Sequence, residues 1–236
     1  MTTETSSLDT RYAMRLGAIM AIVGGIVFMI GNMLHARADG IEIYQNQIQA
    51  VAESDIWIVD HLALGIGMLL LSVGLLFLGR SIVGGRLQVW VKIAEYALFA
   101  SAGLGVVLFA VDGISSKFFH DAFVAAPAGE SAIALRVSEL MEQIDVGLFS
   151  MLIIVFFGFT FASYGAALIQ SDSFHMAYGW IALVLGIVAI GIGVYQAIDG
   201  LSTVITTYAF AGVASVLNLW VIVIDVNMWR RSGKVA

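Results

Sequence analysis

The chain has no cysteine, a single proline and few charges. The missing cysteine excludes disulfides, thiolate metal ligands and cysteine nucleophiles. It leaves the redox compartment open. With Pro127 as the only proline, no long apolar run is kinked by proline. Charged residues make up 12% of 236 positions, against about 25% in a soluble domain. The basic share is the smaller one, with 11 Lys and Arg against 17 Asp and Glu and a net charge of −6. No basic stripe exists for a phosphate backbone, so no nucleic-acid partner is expected. The sequence also lacks a glycine-rich phosphate loop between strand and helix, a serine nucleophile elbow and a His-x-x-x-His or His-Glu-x-x-His pair. Without a catalytic motif, whether the protein is an enzyme stays open.

What replaces charge is apolar length. The chain is 60% hydrophobic, and a membrane span needs about 20 mostly apolar residues. Six runs qualify: Leu16–Leu34, His61–Leu78, Ile93–Val111, Val146–Leu168, Gly179–Ile198 and Val204–Met228. Little remains for a soluble module. The expected fold is all-α, a polytopic bundle of six transmembrane helices, with 1–236 forming one transmembrane domain. Met1–Thr10 is polar, carries Glu4 and Asp9, and has no basic stretch before the first run. It does not read as a cleaved leader, and the first run is expected to persist as a span.

Six spans put both ends of the chain on one side, here the terminal side; the other is the far side. Arg11, Arg15, Arg80, Arg86, Lys92, Arg230, Arg231 and Lys234 fall on the terminal side, and only Arg37, Lys117 and Arg136 on the far side. The positive-inside rule makes the terminal side cytoplasmic, in a plasma or inner membrane. Trp90, Trp180 and Trp229 near the terminal interface and Trp57 near the far one fit an aromatic belt. The surrounding partner is lipid, with other membrane subunits as further candidates.

One short phrase recurs. Asp39-Gly40 follows the first run, Asp112-Gly113 the third and Asp199-Gly200 the fifth. This predicts three tandem hairpin repeats, about 14–82, 91–170 and 175–231. A carboxylate is unfavourable at a helix C-terminus, so each Asp is expected to cap the next helical segment, with Gly easing the turn. Asp39-x-x-Glu42 matches a capping box. Ile41, Ile48 and Val51 at helical spacing predict an amphipathic helix on the far face, and Ser131–Ile144 predicts another. The many in-span glycines predict close helix packing.

Four histidines complete the inventory, and three share the far side. His35 ends the first span, His61 opens the second and His120 lies just past the third. Neutral imidazoles suit transition metals, and an opposed pair suits haem iron. Asp60 and Asp145 open the second and fourth spans, so they are the expected acidic neighbours, as ligands or as partners of the ring N–H groups. Asn218 and Asp225 lie seven apart on one face of the sixth span. Intramembrane polar groups mark function by default. Here Asn218 is expected to bond another helix, and Asp225 to sit hydrated near Arg230 and Arg231. Glu95 is expected to pair with Lys92.

A three-repeat, six-span plan resembles mitochondrial carriers in number alone, since their proline-acid-basic signature is absent. Two readings follow. The first is a non-catalytic accessory subunit or small-ligand binder acting at its outer face. The second is a metal or haem protein, redox or hydrolytic, built on His35, His61 and His120.

Overall fold

A computed structural model describes residues 2–82 and 84–233, with residues 2–10 traced by backbone alone. Among the described residues the chain forms helices and no strand. They are α1 (Thr2–Leu34), α2 (Tyr44–Glu53), α3 (Trp57–Ser81), α4 (Gln88–Val124), α5 (Ser131–Ile169), α6 (Met176–Asp199) and α7 (Thr203–Ser232). All but α2 are long and apolar enough to cross a membrane.

The helices approach each other where the sequence supplies glycine. A Cβ on Gly24 of α1 would fall 2.5 Å from the Leu71 nitrogen of α3, and one on Gly74 2.3 Å from the Ala21 Cβ. The α5–α6 pair repeats the device: a Cβ on Gly165 would fall 2.4 Å from the Leu183 nitrogen. Such contacts matter in lipid, where no hydrophobic force joins apolar helices and dispersion at close range must do so. The α1–α3 and α5–α6 pairs are the most intimate in the bundle, and α1 also packs along α7. Between them lies a core of Phe156, Phe157, Phe161 and Trp220, joined by edge-on ring contacts.

Three of the spans contain π-helical turns, Val111–Ser116 in α4, Ile153–Thr160 in α5 and Thr203–Phe210 in α7. Such turns widen the backbone and re-aim side chains, and they concentrate at functional sites.

Four expectations are corrected. The third run does not stop at Val111. Its helix continues through the Asp112-Gly113 phrase to Val124, so His120 lies within α4. Likewise Ser131–Ile144 is no separate surface helix but the first part of α5. At 37 and 39 residues, α4 and α5 run about 55–60 Å, well beyond a hydrocarbon core of about 30 Å. None of the three aspartates caps a helix. Asp39 precedes a turn at Gly40 (φ 71°), Asp112 lies inside α4, and Asp199 closes α6 before Gly200 (φ 80°). Ser202 performs the capping in the third copy, accepting the Ile205 N–H. The Asp39–Glu42 capping box does not form, because Glu42 is engaged across the bundle by the Thr203 N–H and hydroxyl. Those two donors hold the Glu42 carboxyl below the usual carboxylate range.

The fourth correction is Trp57. It is 1% exposed rather than a lipid-facing anchor, whereas Trp90, Trp180 and Trp229 are exposed. The α2 expectation agrees: Ile41, Ile48 and Val51 are all buried, with α2 resting on the far-side ends of α4 and α5. Lys92 and Glu95 pair at 2.5 Å.

Candidate functional site at the far end of the bundle

The far-side part of α5 reverses the usual amphipathic order. Ser138, Glu142 and Asp145 are buried, while Ile133, Val137, Leu140 and Ile144 are exposed. In lipid this is the sensible arrangement, because polar groups must find partners inside the protein. Opposite them, His35 directly follows α1 and α3 begins at Trp57. Between these elements lies a cavity of about 160 Å³. Its polar wall includes His35, His61, Asp112, Glu142 and Asp145. Phe28, Phe149, Phe157 and Phe210 line its apolar part. The π-helical turns supply Asp112, Phe157, Thr206 and Phe210 to this lining.

Three predicted residues converge. His35, Asp60 and His61 each offer a ligand atom, and these atoms lie within 4.8 Å of one another. The His35 Nδ1 stands 3.0 Å from Asp60 Oδ2. The ring centroids of His35 and His61 are 4.9 Å apart, and that of Trp57 lies 4.7 and 4.3 Å from them with the rings tilted. Trp57 and His61 are four residues apart, hence on one face of α3. Trp57 also donates its indole N–H to the Asp112 carbonyl at 2.9 Å, tying α3 to the π-helical turn of α4. Gly113 permits that approach, since a Cβ there would fall 2.3 Å from the Cβ of His61.

Hydrogen bonds assign the His61 tautomer. Its Nδ1 lies 2.8 Å from the Trp57 carbonyl. A carbonyl only accepts, so Nδ1 carries the hydrogen. Nε2 faces Asp112 Oδ2 at 3.1 Å, and one proton must lie between those atoms. Burial lowers the pKa of His35 against the opposing pull of the Asp60 hydrogen bond, which favours its neutral imidazole. Asp60 retains a buried Oδ1 with no hydrogen-bond partner.

His120 does not join this group. It is fully buried and sits 2.7 Å from Glu142 Oε1. Asp145 likewise lies apart, its Oδ2 accepting the Ser116 hydroxyl at 2.6 Å and its Oδ1 without a partner. Of the Asp-Gly phrases only Asp112 lines the cavity. The intramembrane pair departs from expectation. Asn218 Oδ1 makes no interhelical hydrogen bond, and Asp225 is fully buried with both oxygens unpartnered rather than hydrated.

Sequence reasoning missed Trp57 and Glu142 as site residues and Ser116 as a partner. A signal existed for two of them. Glu142 and Asp145 are three apart, on one helical face, and Trp57 precedes His61 by one helical turn. Two histidines and carboxylates suit zinc, and also iron, nickel or copper. The pair does not suit haem: rings 4.9 Å apart with Trp57 packed against both leave no space for a porphyrin between them. No known protein family, curated protein or solved structure matches the chain.

Proposed function

We propose that the chain is a multi-pass membrane protein, both termini cytoplasmic, that holds a transition-metal ion at the outer end of its bundle and presents it to a small ligand in the cavity there. The convergence of His35, Asp60 and His61 within 4.8 Å carries this reading. Two further observations support it. Metal-binding imidazoles hold their other ring N–H on a carbonyl or carboxylate, and His61 Nδ1 does so on Trp57. The unpartnered Asp60 Oδ1 is a buried acceptor whose cost of about 1–3 kcal/mol or more a cation would remove. A cation bound at His61 Nε2 would displace the proton that this nitrogen shares with Asp112, so metal uptake would release it.

Zinc titration of chelator-treated protein in detergent, followed by calorimetry, tests this. The expected result is one site per chain with protons released. His35→Gln and His61→Gln should each weaken it by more than the roughly tenfold to hundredfold that loss of a ligand's hydrogen-bond partner costs. Unchanged zinc binding in both variants would overturn the assignment. The apolar Phe28, Phe149, Phe157 and Phe210 lining favours a second reading, a small-ligand binder or accessory subunit without metal. No zinc uptake by a cavity that still takes an apolar probe would decide for it.

A further inference from the structure

Three carboxylates line the cavity, Asp112, Glu142 and Asp145. Two already face a histidine: Asp112 lies 3.1 Å from His61 and Glu142 2.7 Å from His120. Among the described residues, Asp145 is the one of the three that pairs with no basic side chain. Its only hydrogen bond comes from the neutral Ser116 hydroxyl, its Oδ1 has no partner, and the residue is 7% exposed. Arg37 lines the same cavity, but its hydrogen bond goes to Asn32, which also lines it, and Lys117 bonds Asp121 and the Ala52 carbonyl. A buried carboxylate left this way lacks a donor, and a charged donor satisfies it best.

The rest of the cavity limits what can bring that donor. Its walls beyond Asp145 include Phe149, Phe157 and Phe210, whose ring faces attract a cation as well as apolar matter. Its volume of about 160 Å³ is close to that of an apolar protein cavity of about 150 Å³ that takes up one benzene. We infer that the cavity binds a small hydrophobic amine of about one ring, its ammonium on Asp145 and its apolar body among Phe149, Phe157 and Phe210. This inference deepens the small-ligand reading of the same site and does not require the metal.

The test compares benzylamine with benzyl alcohol, which share size and ring and differ in charge. Binding is measured by the change in intrinsic tryptophan fluorescence of the full chain in detergent, after chelator treatment so that no metal can hold the amine. Benzylamine should bind at least about tenfold tighter than benzyl alcohol, the scale of a charge-assisted hydrogen bond. Asp145→Asn should erase that preference while still binding the alcohol, which shows that the cavity survives. Should that variant fail to fold, carbodiimide labelling of the unmutated protein serves instead, with N,N-dimethylbenzylamine, a tertiary amine that forms no amide with the activated carboxyl, and not the alcohol shielding Asp145. Equal affinities for the two probes, a preference that survives Asp145→Asn, or labelling unaffected by the amine would each overturn the inference. Zinc titration failing while benzylamine still discriminates would remove the metal reading and leave this one standing.

Discussion

Gly113→Ala tests how the site is held together. An alanine Cβ at this position would lie 2.3 Å from His61 Cβ and 2.7 Å from its Cγ. Ordinary carbon contacts need about 3.5–4.0 Å, so α3 and α4 must part by about 1 Å or more. The overlap is with the first atoms of the side chain, which cannot swing away. Overpacking of this kind costs about 1–3 kcal/mol, offset by up to about 1 kcal/mol because alanine is the better helix former. Gly103→Ala, in the same helix with nothing within 4 Å of its Cβ, supplies that propensity gain without the clash. The difference between the two variants therefore isolates the steric term. It corresponds to a Tm for Gly113→Ala lower by roughly 2–10 °C in a chain of this size. The functional loss should be larger. A metal site tolerates ligand errors of only about 0.2 Å, and the displaced ring is His61 itself. Zinc affinity should fall by about tenfold or more in Gly113→Ala and stay unchanged in Gly103→Ala, read by calorimetry beside thermal unfolding in one detergent. Equal Tm values and equal zinc affinities would refute the claim that this close approach builds the site.

Three further outcomes are expected. Asp225→Asn should leave the Tm unchanged or raise it, because it replaces a fully buried, unpartnered carboxylate with a neutral group of the same shape; a large loss of stability would show that its charge is needed. The Glu42–Thr203 clamp should hold α2 at neutral pH and release it in acid. Because the folded-state carboxyl titrates below its usual range, this contribution is complete above the unfolded value and is lost as pH falls through the folded one. A spin label at Gln49 should gain mobility over that range and not in Glu42→Gln, whose side chain does not titrate; equal pH dependence in both would exclude the clamp. A cysteine at Gly129 should react with an impermeant thiol reagent on intact cells and one at the exposed Gly85, between α3 and α4, should not, and the reverse pattern would invert the orientation.

Much of this architecture was readable from composition because lipid imposes it. A span must be long and apolar, so six runs marked six helices, and the periodicity of Ile41, Ile48 and Val51 marked α2. The far-side ends of α4 and α5 were misread for a physical reason. A pattern such as Ile133, Val137, Leu140 and Ile144 places its apolar face inward on a soluble protein. Here it faces outward, because Glu142 and Asp145 turn into a polar cavity. The Asp-Gly phrases were assigned to caps because helix interiors disfavour both residues. Asp112 is tolerated in mid-helix by His61, and Gly113 is required there by the proximity of α3. The convergence of His35 with His61 was legible from their places at two adjoining span ends. The separation of His120 from them was not, since it depends on α4 continuing for three further turns beyond its apolar run.

X-ray absorption at the zinc edge, on protein loaded with one equivalent, tests the central claim most directly. It reads the ligands themselves and not the consequences of losing them. The account predicts a first shell of nitrogen and oxygen at about 2.0–2.2 Å with outer-shell scattering from two imidazoles, reduced to one in His61→Gln. A spectrum without imidazole scattering, or one unchanged by removing His61, would contradict it.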